Sequence, residues 1–106
     1  MGRLVVSPRA EAELDAIATF IARRDGELRA TAVVERIWKT MNNLAFMPGM
    51  GRSDRSYLEE GARMFPSAPW IIIYELLPDG DGILVQRVLD GRRNLSAIFR
   101  SAKRRR

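Results

Sequence analysis

The chain contains no histidine and no cysteine. Imidazole bases, thiolate nucleophiles, Ser-His-Asp and Cys-His arrangements and imidazole metal ligands are therefore all missing, and any catalysis must use carboxylates, tyrosine, lysine or arginine. Lysine is scarce as well, with Lys39 and Lys103 set against sixteen arginines. What remains is guanidinium chemistry: a permanent charge on a planar donor fork that clamps phosphates or carboxylates two bonds at a time. Four arginines stand out by position. Arg63 opens a short apolar segment, Arg87 sits in the middle of a strand-like run, and Arg92 and Arg93 follow the turn at Asp90-Gly91. Each could instead be an exposed arginine contributing solubility. For Arg87 this is the weaker alternative, because an arginine on an apolar row needs a carboxylate partner.

Other candidate groups have plainer readings. Asp79 and Asp81, with Glu75 nearby, could suggest a cation site, but alternating Asp and Gly in PDGDG is also the chemistry of a hairpin turn, which is favoured. Gly49-Met50-Gly51-Arg52 lacks the preceding strand, following helix and Gly-Lys-Ser/Thr ending of a phosphate loop, so it reads as a helix stop. Tyr57 and Tyr74 are the phenolic acid–base candidates. Tyr74, inside WIIIYELL, reads as a packed residue with its hydroxyl at the edge. No metal or cofactor is expected.

These residues must be held by a small set of elements. Trp70–Leu77 and Ile83–Leu89 are rich in β-branched and aromatic residues and flank a Gly/Asp loop, the pattern of a β-hairpin. Strict alternation places Ile83, Val85, Arg87 and Leu89 on one row of the second strand and Leu84, Gln86, Val88 and Asp90 on the other. The first strand is apolar on both faces, as a covered central strand would be. Upstream, Arg3–Val6 is a short strand and Ser7-Pro8 a helix start. Ala10, Leu14, Ile17, Ala18 and Ile21 form one helical stripe that ends near Gly26, with Glu11 and Glu13 placed to suit the helix dipole. A second helix is expected over Glu27–Phe46, its apolar face including Val33, Val34, Ile37, Trp38, Met41, Leu44 and Ala45. Met47-Pro48-Gly49 stops it. A polar loop then leads to a short strand at Ala62–Pro66, and LSAIF near the end could form one or two helical turns.

Composition agrees with one soluble domain. At 106 residues, 46% hydrophobic and 29% charged, the chain can bury roughly two thirds of its unfolded surface around one core. The domain is placed at 1–102, with a basic tail at 103–106. No apolar run approaches the ~18 residues of a membrane span, and the N-terminus lacks a signal-peptide core, so a cytoplasmic protein without membrane partners is expected. The net charge of +5 conceals an asymmetry: residues 87–106 carry eight basic side chains and one acidic. That segment is a candidate surface for nucleic acid or for an acidic protein segment, and a solvated tail is the plain alternative.

Five segments in order, VVSPRAEAELDAIATFI, LAFMPGMGR, GARMFP, WIIIYEL and RVLDGRRNL, give the chain a resemblance. From about Leu4 to Leu95 it resembles the ParE/RelE superfamily of bacterial toxins from toxin–antitoxin operons, closer to the ParE side. The resemblance implies an α+β fold in which an N-terminal strand and an antiparallel helical hairpin pack on a small curved antiparallel sheet. It also implies a toxin neutralised by a cognate antitoxin with an acidic C-terminal segment, and contact with operator DNA only through that antitoxin. ParE-like members trap DNA gyrase on broken DNA, whereas RelE-like members cut mRNA on the ribosome using basic residues and usually a C-terminal tyrosine. No tyrosine follows Tyr74 here, only Phe99 in the equivalent region, and the lysine-rich helix of the nucleases is missing. Gyrase inhibition without catalysis is therefore expected. An mRNA endonuclease and an inactive antitoxin-binding module are the alternatives. Arg63, Arg87, Arg92 and Arg93 are the expected partner- or target-binding residues. Many ParE-like sequences carry histidine where this chain has Asp90.

Overall fold

The structure is a computed structural model that describes residues 2–54 and 58–92. Tyr57, Arg93, the expected helical turns after Asn94 and the basic tail at 103–106 lie outside the described residues. The order is β1 (Arg3–Val6), α1 (Pro8–Asp25), α2 (Glu27–Phe46), a 3-10 turn at Pro48–Met50, β2 (Arg63–Ser67), β3 (Trp70–Leu76) and β4 (Gly82–Asp90). The sheet order is β1-β4-β3-β2. The β2–β3 and β3–β4 pairs are antiparallel, while β1 adds to β4 in parallel, so the sheet is mixed.

Local chemistry sets the element boundaries. The Ser7 Oγ accepts a hydrogen bond from Ala10 N at 3.0 Å, and Pro8 fills the first helical position, where a missing N–H costs nothing. Gly26 alone joins the two helices at φ +95°, a backbone conformation that disfavours any side chain. The hairpin lays Ala10, Leu14, Ile17 and Ile21 of α1 and Ile37, Met41 and Leu44 of α2 against Ile72, Tyr74, Ile83, Val85 and Val88 of the sheet. Trp38 is only partly buried at the rim of this cluster, while its neighbour Ile37 is 1% exposed. The apolar stripe of α2 is thus centred one residue earlier than its largest side chain suggests.

Alternation along β4 fails at one point. Tyr74 pairs with Val85 but Ile73 pairs with Arg87, so Gln86 is an extra residue in a β-bulge. The bulge shifts the side-chain period. Ile83, Val85 and Val88 all face the helices, whereas Leu89 turns to the other face. Arg87 and Leu89 therefore do not continue the buried row of Ile83 and Val85. The second face is covered too: Ile71, Ile73, Met64 and Leu89 pack under Leu58 and Ala62 of the long loop, where Leu58 is 3% exposed despite its polar surroundings.

Tyr74 ties the exit of α2 to the sheet. Its hydroxyl donates to Pro48 O at 2.6 Å and accepts from Gly51 N at 2.8 Å, and Arg63 Nη1 donates to Gly51 O at 2.8 Å. A Cβ on Gly51 would collide with the Tyr74 hydroxyl, so this close approach requires glycine. Burial pushes the phenol pKa up, partly opposed by the Gly51 N–H and the nearby Arg63 charge. Tyr74→Phe strands both partners and should cost about 1–3 kcal/mol in denaturant melts. A raised folded-state pKa also means that the phenol's contribution is fully present below its ordinary value of 10.0 and is lost as pH rises through the folded value. The native chain should therefore lose stability above about pH 10 more steeply than Tyr74→Phe. Parallel alkaline profiles would contradict this assignment.

Candidate functional site

The site grows out of an unfinished strand edge. β1 covers β4 only as far as the Val6–Val85 pair, because the chain then turns at Ser7 into α1. No strand among the described residues covers the outer edge of residues 86–90. Unpaired strand edges must be satisfied or shielded, and here α1 does part of this with side chains. The Ser7 hydroxyl donates to Gln86 O at 2.9 Å, so one residue caps the helix and closes the bulge. The Glu13 Oε1 accepts from Val88 N at 2.9 Å.

The same carboxylate holds Arg87. The Arg87 Nε lies 3.0 Å from Glu13 Oε2 and 3.2 Å from Oε1, and Nη2 lies 2.8 Å from Oε2. Both side chains are about one-fifth exposed, which makes this the most shielded ion pair among the described residues. The carboxylate partner expected for Arg87 is therefore internal. Sequence reasoning placed Glu13 only with the helix dipole. The available signal was its position, three residues after Ala10 and four before Ile17, where a carboxylate borders the buried stripe.

Past Val88 the edge opens into a trough of about 290 Å³ between α1 and the end of β4. Ala16, Ile17 and Phe20 form one side, Val88–Asp90 the other, and Trp70 and Arg92 complete it. Phe20 is 50% exposed, with the Arg24 guanidinium 5.1 Å above its ring. The Trp70 Nε1 is buried without a hydrogen-bond partner among the described residues. Arg92 reaches the trough already paired: its Nε and Nη2 donate to the Asp90 carboxylate at 3.0 and 2.8 Å, and its backbone N donates to Oδ1 at 2.9 Å. The side-chain hydrogen bond to Asp90, and then the aspartate's charge, raise the guanidinium pKa further. Arg63 does not line the trough. It sits at the other end of the sheet, holding Gly51.

The remaining candidates resolve without chemistry of their own. The Asp79 Oδ1 accepts from Asp81 N at 2.9 Å and its other oxygen pairs with Arg3, so this aspartate builds the hairpin turn. The Asp81 N–H lowers its pKa most, with Arg3 adding to the effect. Among the described residues, no group of three or more Asp and Glu is placed to hold a metal ion. A second exposed apolar surface lies at the opposite end, where Phe46, Met47 and Met50 surround the exit of α2.

The Glu13 clasp gives an asymmetric prediction. Glu13→Ala strands both Arg87 and the Val88 N–H and should cost about 2–4 kcal/mol, whereas Arg87→Ala leaves Val88 satisfied and should cost less. Denaturant melts of both variants test this, and an equal or larger loss for Arg87→Ala would contradict it.

Comparison with known proteins agrees with this architecture. A family model described as the ParE toxin of the type II toxin–antitoxin system parDE matches residues 4–95. Toxin ParE3 of Caulobacter vibrioides is 35% identical over 97 residues, spanning 92% of this chain and 94% of the relative. A chain from the chromosomal ParDE toxin–antitoxin system of P. aeruginosa shares the fold with a TM-score of 0.68 at 23% identity, over 82% of this chain and 92% of that one. With its helical hairpin on a four-stranded sheet and a family match across nearly its whole length, the chain belongs to the ParE toxin family of type II toxin–antitoxin systems.

Proposed function

We propose that this toxin inhibits DNA gyrase by binding it on cleaved DNA, without catalysing a reaction, and that a cognate antitoxin neutralises it through the trough between α1 and β4. The observation that carries the antitoxin reading is the strand edge left open past Val88, at the end of β4, beside the half-exposed Phe20. A strand edge with an apolar floor suits an extended segment, whose backbone bonds to the edge while alternate side chains enter the trough. An acidic C-terminal segment fits the arginines at its end. Arg92 and Arg93 are the proposed contacts with partner or target. Arg87 acts there through the clasp that shapes the edge, and Arg63 at the far end of the sheet. Operator DNA is reached only through the antitoxin, and the pair works in the cytoplasm. No helix among the described residues is long and apolar enough to cross a membrane.

A ribosome-dependent nuclease of the RelE kind works with a lysine-rich helix and usually a C-terminal tyrosine, and the chain has two lysines, no tyrosine after Tyr74, and neither histidine nor cysteine to stand in for them. Tyr74 has both hydrogen-bonding directions of its hydroxyl occupied inside the fold. The purified chain should therefore inhibit gyrase supercoiling and accumulate cleaved DNA, while leaving ribosome-bound mRNA intact. Cuts in ribosomal A-site mRNA without any effect on gyrase would overturn this reading.

Apolar contacts should supply most of the antitoxin affinity, because exposed ion pairs contribute only about 0–1 kcal/mol each. The arginines speed encounter and select the partner. Phe20→Asp should thus weaken antitoxin binding at least about tenfold, chiefly by raising the dissociation rate. Unchanged kinetics would place the antitoxin elsewhere.

A further inference from the structure

Beside the trough, the closed end of the helical hairpin, next to the Gly26 turn, forms a second cleft against the β2–β3 turn. Arg24 of α1, Arg29 and Arg36 of α2, and Arg92 after β4 converge on it, together with Ser67 and Trp70. Four guanidinium groups from three parts of the chain share one recess. Arg24 and Arg92 are held by Asp25 and Asp90 in exposed pairs. Arg29 and Arg36 form no ion pair among the described residues. Asp25 also lines the recess, so four guanidinium groups face one carboxylate there, and the excess positive charge is not required by the core: Arg29 and Arg36 are both exposed. Trp70 also lines the recess, and its indole N–H is buried without a hydrogen-bond partner among the described residues.

We propose that this cleft binds a backbone phosphate of nucleic acid. Three features favour that ligand over an acidic peptide. First, the recess is about 100 Å³. A cavity of about 150 Å³ holds benzene, so this one has room for a tetrahedral phosphate and little more. Second, the chain leaves the cleft at Arg92 directly into residues 93–106, which contain six basic side chains and no acidic one. Basic sequence continuing from a phosphate-sized recess suits a polymer that carries a charge at every unit. Third, the cleft and the trough share Phe20, Trp70 and Arg92. A base next to the bound phosphate therefore meets an aromatic surface, the combination that binds single strands. The site does not depend on gyrase being the target.

The test is fluorescence anisotropy of a labelled single-stranded 12-mer DNA with the full chain at 50 and 200 mM salt. Paired Arg29→Gln and Arg36→Gln changes should weaken binding at least about tenfold and lower the salt slope by about 0.7, the value for one phosphate no longer neutralised. Inorganic phosphate should compete in the native chain. The control removes equal charge elsewhere: Arg9 lies in the first turn of α1, about 22 Å along the helix from Arg24, and Arg3 pairs with Asp79 at the hairpin turn. Arg3→Gln with Arg9→Gln should change affinity by no more than about twofold. Circular dichroism melts confirm that both pairs fold, as their exposed positions imply. The proposal fails if no DNA binds, or if both pairs weaken binding equally. It also fails if the Arg29/Arg36 pair leaves affinity and slope unchanged, which would assign binding to the basic end. A glutamate-rich 12-residue peptide that binds the native chain more tightly than DNA, and loses that binding in the Arg29/Arg36 pair, would reassign the cleft to an acidic peptide.

Discussion

The structure depends on how the outer edge of β4 is satisfied. A four-residue β1 cannot cover a nine-residue strand. Its parallel pairing ends at Val85, just before the bulge at Gln86. Exposed backbone at that point would leave polar groups unpaired beside the core. Two side chains from α1 and its cap meet the need: the Ser7 hydroxyl takes Gln86 O and the Glu13 carboxylate takes Val88 N. Helix start, bulge and strand edge are thus one structural unit, and Arg87 closes over it by clasping the same carboxylate.

This arrangement decides what the surface can offer. Satisfying the edge through Val88 leaves the last residues of β4 facing a trough rather than a strand. Trp70 sits opposite Asp90 across the sheet, so the end of β4 brings an aromatic residue and an anchored arginine to the same place. The charges there are already paired internally, at Glu13–Arg87 and Asp90–Arg92. A partner must exchange those pairs rather than find free ions, so its affinity has to come mainly from apolar burial and backbone pairing. Arg29 and Arg36, beside the hairpin turn, are by contrast cations without an ion pair among the described residues.

Much of the fold was legible because its signals are local. Ser7-Pro8, the stripes of the two helices, Gly26 and the Gly/Asp turn mark their elements within a few residues each. The long-range features were less so. The bulge at Gln86 leaves no trace in composition, and strict alternation therefore put Arg87 and Leu89 on the same row as Ile83 and Val85. The parallel pairing of β1 follows from topology, since a strand does not name its neighbour. Leu58 in a polar loop gave no periodic signal for its burial. At the site, the need of Arg87 for a carboxylate was readable from its apolar surroundings, but Glu13 stands 74 residues away in sequence. The family resemblance rested on five short segments, and the family match over residues 4–95 supports it.

Two apolar surfaces compete as the seat of a partner: the trough beside Phe20, and the exit of α2 at Phe46, Met47 and Met50. Backbone hydrogen exchange of the chain, free and with its antitoxin bound, separates them directly. If the open end of β4 receives the antitoxin, amides past Val88 and of α1 around Phe20 gain protection, while those around residues 46–50 exchange as before. Protection confined to residues 46–50, with the amides past Val88 unchanged, would contradict the account.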